Sequence, residues 1–506
     1  MGTERDAMDE AGGESSSEVG VDRLTASGVG LVVVRGASVR ALGYGGGLAL
    51  SALGSVLLFR YFSVDDFGRY MTVATLVAIV GGVSEAGLST VGGREIAFRV
   101  QPESRDRLVS DLLGIRLAFT ALGIVAAIVF AIAVGYDRTL VLGTALMGIG
   151  LLLTSAQVTM MLPLSAELLM GRLTTAELVK QAVTVAGIGV LVALEAALLA
   201  FFGVQIVVGV VILAATPWLM ARGSLVWRPT FGRAQWKALL RLALPLAISA
   251  TIAVLYFRLL VVLCSVISTP YETGLLATSF RIVELLYGLG AIAAAVSLPV
   301  LSATAHESQR LQYMTQRMTE VALLAGCYLS ILVFAVAAPI LGLLGGVEYE
   351  AAASVLRIQV FALIPSFLAQ VWLTALIAIG RLTALATASA VGLVLAAGLG
   401  VVLIDADGAR GAAVAALVGE TTLAITLLVM LTASRPAHRL RLGFAWKPAC
   451  ASLALIAITE LADVSLWLQV VAGTAAFVAV AVATRAIPSE IRDAFLERGP
   501  RGWRRS

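Results

Sequence analysis

Long apolar stretches broken by short polar segments run through most of this chain, and their lengths predict helices that cross a membrane. Such stretches lie near residues 38–59, 70–92, 112–134, 140–162, 178–199, 201–220, 242–267, 274–300, 320–345, 354–379, 382–404, 411–432, 448–462 and 465–484. A stretch of this kind spans a hydrocarbon core of roughly 30 Å at about 1.5 Å per residue. The pattern predicts an all-α integral membrane protein of about fourteen transmembrane helices, as two six-helix lobes plus two extra C-terminal helices. The boundaries read as a polar tail at 1–34, a first lobe at 35–221, a linker at 222–241 and a second lobe at 242–434. A loop at 435–446, the extra helices at 447–485 and a basic tail at 486–506 complete the chain. The stretches 178–199 and 201–220 nearly touch, and 448–462 is short.

Composition agrees with this pattern. The 506 residues are 59% hydrophobic and 13% charged, with mean hydropathy +0.96, more apolar surface than a soluble fold of this length can bury. Cys264, Cys327 and Cys450 are scattered, and His306 and His438 sit in polar loops, so no metal or redox spacing exists. The acidic, Gly- and Ser-rich N-terminus lacks the basic start and apolar core of a signal peptide and reads as a disordered cytoplasmic tail.

Charge placement gives orientation. Connections after even-numbered spans carry about 17 Lys and Arg, those after odd-numbered spans about four. The odd connections also hold Asp65, Asp66, Glu272, Glu348, Glu350, Asp405 and Asp407. Both termini are therefore expected in the cytoplasm, in a cell inner (plasma) membrane. No connection exceeds about twenty residues, so no separate domain outside the membrane is expected.

The middle of the chain carries charge inside the oil. Residues 242–301 read as two spans joined by Thr-Pro-Tyr-Glu-Thr, with Arg258 in the first and Arg281 in the second, at similar depth in the outer half. Each such charge costs about 3 kcal/mol at the bilayer centre, so a wet cavity or a partner must offset it. Two arginines at one depth suggest a cavity that receives an anion. Against this stands a structural reading, since arginine stems snorkel and Glu284 lies one turn beyond Arg281, placed for an ion pair. Glu85, Glu284 and Glu420 fall near the middles of their spans. Each is a candidate for carrying a coupling proton, or else for pairing with an arginine; Glu420 lies deepest. Arg35, Arg40, Arg94 and Arg116 lie at cytoplasmic span ends as ordinary anchors, with Arg35, Arg40 or Arg94 as alternative first contacts for an anionic group. The run Gly43-Tyr44-Gly45-Gly46-Gly47 has no strand before it, which excludes a nucleotide loop and leaves close packing or bending.

An internal echo joins the halves. SVLLFRYFSVDDFGRYMTVATL at 55–76 parallels the chain around 254–280, with Phe-Arg, a short acidic loop and a glycine opening the next span, so that Gly68 and Gly274 correspond. Halves that enter from the same side form parallel repeats about an axis along the membrane normal.

RGASVRALGYGGGLALSALGSVLLFRYFSVDDFGRYMTVATLV resembles the opening hairpin of the polysaccharide flippases of the multidrug/oligosaccharidyl-lipid/polysaccharide exporter superfamily. GVEYEAAASVLRIQVFALIPSFLAQVWLTALIAIGR is similar to that family's ninth-to-tenth span passage. LIDADGARGAAVAALVGE is similar to its approach to the twelfth span, with Asp405 where proline is usual. The resemblance covers roughly residues 35 to 435. It implies two lobes that alternate between inward and outward openings and a substrate built as an oligosaccharide on a polyprenyl diphosphate. Membrane lipids and glycan-assembly proteins would be its partners, with no nucleic acid, metal or cofactor. A diphosphate suits guanidinium forks, which bind phosphate oxygens bidentately. Many relatives carry an aspartate just after the seventh span's Phe-Arg, whereas this chain continues Leu259-Leu260-Val261, which removes a counter-ion from Arg258. The extra C-terminal spans read either as a groove for a lipid tail or as a structural annex.

The resulting expectation is a lipid-linked oligosaccharide flippase and not an enzyme. A lipid II-type flippase and a drug or metabolite exporter of the same superfamily are alternatives, and the outer-half arginines disfavour cationic drugs. A glycan ligase or polymerase is disfavoured by the lack of a long outer loop.

Overall fold

The computed structural model describes residues 26–85, 87–99, 101–167, 169–220, 228–304, 307–381, 383–434, 442–444, 446–461, 466–484 and 486. Most of the expected N-terminal tail, residues 221–227 of the linker, the 435–441 loop, the C-terminal tail from 487 and both histidines lie outside the described residues.

Among those residues the chain is helical, without strands. The first half contains α1 (Ala26–Tyr61), α2 (Val64–Glu85), α3 (Leu88–Phe98), α4 (Pro102–Val134), α5 (Arg138–Met160), α6 (Leu162–Ala166), α7 (Met170–Ala193) and α8 (Leu198–Met220). The second contains α9 (Arg233–Ile267), α10 (Pro270–Thr304), α11 (Ser308–Gly345), α12 (Ala353–Gln359), α13 (Leu363–Ala378) and α14 (Ala384–Ser434), followed by α15 (Trp446–Leu461) and α16 (Leu466–Ala483). In lipid every backbone polar group must bond within the segment, which is why apolar runs of this length become helices.

Among the described residues, ten helices are long and apolar enough to cross a membrane, accompanied by two shorter apolar ones, against about fourteen expected spans. Part of the difference lies in α14, one helix of 51 residues by its hydrogen bonds, where hydropathy reads two spans. The chain folds back at Asp407 and Gly408 (φ −143° and +53°), so that Gly411 lies against the carbonyl of Leu403. The second leg starts with its Ala409 N–H donating to the Glu272 carboxylate across the fold at 2.8 Å, a cap supplied by another hairpin. A further correction concerns 178–199: the helix is α7, shifted toward Met170, and the chain turns at Glu195 with φ +50°. The expected span 70–92 likewise ends at Glu85, and α3 starts anew after Gly87 in the left-handed region (φ +78°).

The helices pack in two groups. In one, α5 lies on α8, α1 on α7, and α2 on α4 and α5; in the other, α9 lies on α14, α11 on α13, and α10 on α13. The groups meet where α2 crosses α10 and α9, while α15 and α16 pack on each other and on α11. The two ends of the bundle differ in charge, and the end bearing Asp65, Asp66, Glu272 and Asp407 is called here the acidic end.

At the acidic end the groups touch through backbone. The hairpins before α2 and α10 are built alike, with the Asp66 N–H donating to Ser63 Oγ at 3.2 Å and the Glu272 N–H to Thr269 Oγ1 at 3.2 Å. Two residues further on stand Gly68 and Gly274. A Cβ on Gly68 would strike the Pro270 carbonyl, and one on Gly274 the Val64 carbonyl, so the positions equated by the sequence echo face each other across the boundary. Aromatic rings seal the contact: Phe59 lies 4.8 Å from Phe67 and 5.2 Å from Tyr349, centroid to centroid. The Tyr349 hydroxyl donates to the Phe62 carbonyl at 3.0 Å. Because the obstruction is backbone, it cannot swing aside; Gly68→Leu should destabilise the protein by about 1–3 kcal/mol, read as a lower unfolding temperature in detergent. An unchanged temperature would refute the close crossing.

Candidate functional site

The hairpin of α9 and α10 brings the two mid-membrane arginines to one carboxylate. Arg258 Nη2 donates to Glu284 Oε1 at 2.8 Å, and Arg281 Nη1 donates to Glu284 Oε2 at 2.8 Å. All three side chains are only 20–25% exposed. The Arg281–Glu284 half of this triad follows from their one-turn spacing on a helix. The Arg258 half depends on the hairpin register. Phe257 and Phe280 frame the Arg258 guanidinium at 5.3 and 5.6 Å from their ring centroids, a contact in which aromatic faces partly replace lost water. Two cations against one carboxylate leave the set with a single net positive charge.

Arg281 reaches further, donating from Nε to Ser55 Oγ at 2.8 Å and from Nη2 to Ser51 Oγ at 2.5 Å. Both serines lie on α1, in the other helix group. Arg281 and Glu284 form one wall of a cavity of about 570 Å³, lined otherwise by residues of α1, α5 and α7. Arg258 does not line it.

Across the cavity stand residues that the sequence reading missed. Lys180 pairs with Glu177 at 2.7 Å, and both line the space together with Gln157 and Gln181. Their signal was a Glu–Lys pair three apart in an apolar run, hidden because α7 was placed too far along the chain. Within the glycine run on α1, Gly43 lies against the Thr174 side chain and Gly46 near Leu178, and both Gly43 and Gly47 line the cavity.

The remaining candidates lie elsewhere. Glu420 is buried in a separate hollow of about 30 Å³, beside Tyr256 and Tyr287, with the Tyr256 hydroxyl as hydrogen-bond partner. Glu85 forms an ion pair with Arg116, which also donates to Ser89 Oγ at 3.2 Å and Thr159 Oγ1 at 3.3 Å. Arg116 is thus buried, not the anchor at a span end that hydropathy placed there, because α4 begins at Pro102, about four turns before it. Arg94 is exposed on α3 over the Phe98 ring. The side chains of Arg35 and Arg40 lie outside the described residues. No cluster of three metal-ligating side chains occurs among the described residues.

Comparison with known proteins bears on this arrangement. A family model described as polysaccharide biosynthesis protein matches residues 57–354. The lipid II flippase MurJ in an inward closed conformation shares the fold with a TM-score of 0.70 at 13% identity, over 88% of this chain and 98% of that one. An inward-facing multidrug resistance MATE transporter of the MOP superfamily follows at 0.61 and 14%, over 77% and 95%. A MOP superfamily transporter from Pyrococcus furiosus, for which a reverse polarity of the binding pocket suggests a different function, gives 0.54 and 16%, over 80% and 96%. No curated protein matches the sequence. The fold of this group is therefore common to the chain.

Proposed function

Because the chain belongs to the polysaccharide biosynthesis protein family, we propose that it is a flippase that carries a polyprenyl-diphosphate-linked oligosaccharide from the cytoplasmic to the outer face of the membrane. The observation that carries this reading is the net positive wall of the cavity between the two helix groups. Arg281 lines that space, and Glu284, the carboxylate it pairs with, is shared with Arg258 behind the wall, while Glu177 on the opposite side is matched by Lys180. A diphosphate supplies the missing negative charge, and a guanidinium fork takes its oxygens bidentately. The volume lies in the usual range for small-ligand sites, about 300–1,000 Å³, room for a diphosphate and its first sugars. Lys180, Glu177 and the two glutamines opposite offer donors and acceptors of the kind that bind sugar hydroxyls. The polyprenyl tail would remain in lipid. The reading involves no covalent chemistry, and the lipid II flippase of the same fold supports a substrate carried on a lipid.

A drug exporter for cations fits this wall less well, since a cation would meet net positive charge. The acidic end faces outward in this reading, as the distribution of Lys and Arg over alternate connections directs. The cavity is then closed on the outside by the Gly68–Gly274 crossing and reached from the cytoplasm.

Three outcomes test it. A strain lacking the protein should strand lipid-linked glycan on the cytoplasmic face; Arg281→Lys should restore export in part and Arg281→Ala less, at equal protein level. Wild-type export by Arg281→Ala would refute the anion site. A reporter fused after Asp407 should behave as external, and internal behaviour would reverse the orientation. Glu420, enclosed by two phenols, is the proposed site of a coupling proton: Glu420→Gln should slow transport and flatten its pH dependence, and an unchanged pH response would leave it a structural role.

A further inference from the structure

Arg281 belongs to two surfaces at once. It lines the cavity, and it also ties α10 to α1, because its Nε and Nη2 donate to Ser55 and Ser51 while Nη1 holds Glu284. The serines stand one turn apart, and the Ser55 hydroxyl donates to the Ser51 carbonyl at 2.9 Å, which fixes Ser55 facing the arginine. Ser51 lines the cavity too. Three of the guanidinium's five N–H groups, one on each nitrogen, are therefore committed before any ligand arrives. A phosphate that takes the Nε–Nη2 edge bidentately displaces both serines, and one that takes Nη1 competes with Glu284.

Charge counting says which state is favoured once an anion enters. Glu284 is shared, and the two arginines keep one positive charge in excess. If Arg281 turns to a phosphate, Glu284 is not abandoned, because Arg258 still holds its Oε1 and is itself fixed between Phe257 and Phe280. Two neutral pairs then replace one charged triad, and in an apolar interior that exchange is favourable. Uncharged serine hydroxyls cannot compete with a phosphate for a guanidinium.

We propose that Ser51 and Ser55 form a clasp between the two helix groups and that an anionic phosphate group opens it by exchange at Arg281, with Arg258 serving to retain Glu284. Substrate binding and release of α1 from α10 are then one event. The identity of the anion rests on the flippase reading above; the clasp does not.

The test measures opening at the acidic end. Spin labels at Arg138→Cys and Val347→Cys, exposed positions on the two groups, report the distance between them in a Cys327→Ala/Cys450→Ser background, which leaves only the buried Cys264. Without ligand, Ser51→Ala/Ser55→Ala should raise the population of the long-distance state roughly tenfold, as expected for two lost hydrogen bonds. Ser51→Thr/Ser55→Thr, which keeps the hydroxyls, should stay close to wild type. Millimolar inorganic pyrophosphate should lengthen the wild-type distance and add little in the alanine variant. An alanine variant with the wild-type distribution overturns the clasp, as does an equal shift in the threonine variant, which would mark a packing effect. A wild type indifferent to pyrophosphate while the alanine variant opens overturns the exchange. A protein that passes every arm yet moves no lipid-linked glycan keeps the clasp and loses only the named substrate.

Discussion

A charge inside hydrocarbon must be paired or wet, and in this protein one carboxylate, Glu284, meets that condition for two arginines. Much of the second helix group is arranged around it. The α9–α10 hairpin must hold its register for Arg258 to reach across to Glu284, and that register is held by the Thr269 cap, the Pro270 start and the Glu272 carboxylate that in turn caps the second leg of α14. Phe257 and Phe280 keep the Arg258 side chain from snorkelling away. The cost of an unpaired charge, about 3 kcal/mol near the bilayer centre, is enough to select this register over its neighbours.

The same hairpin closes one end of the molecule. With α10 pinned by its cap, Gly274 meets Gly68 with no side chain between them, and the aromatic cluster of Tyr349, Phe59 and Phe67 packs beside the crossing. Such a contact is tight but made of few polar bonds, so it separates without stranding buried charge. The polar cavity lies deeper, walled by α1 and α10. Closure at one end and a charged cavity behind it thus follow from a single pair of helices and their partners in the first group.

Particular residues show what could be read from the chain and what could not. The hairpin at 242–301, the Arg281–Glu284 pair and the equivalence of Gly68 with Gly274 were all legible, because helical spacing and repeat register are local. Ser51 and Ser55 were not: they meet Arg281 across 230 and 226 residues of sequence, and a serine in an apolar helix carries no signal until its partner is known. Arg116 was misplaced because hydropathy marks where apolar composition begins, whereas α4 starts earlier, on polar turns that still form helix. The reversal at Asp407–Gly408 was legible as a break between spans, but the cap from Glu272 that starts the next leg was not. Lys180 and Glu177 were lost to a shifted helix boundary, the least reliable product of any hydropathy reading.

The apolar run that follows Phe257-Arg258 has a physical meaning in this geometry. An aspartate on the same helix would give Arg258 a private counter-ion, and Glu284 would then belong to Arg281 alone. Every charge would be matched, and the cavity wall would be neutral. With Leu259, Leu260 and Val261 in those positions, the counter-ion comes from α10, 26 residues on, and must be shared. Sharing ties α9 to α10 by an ion pair in addition to their packing. It also leaves one positive charge uncompensated beside the cavity, where an anion can reach it.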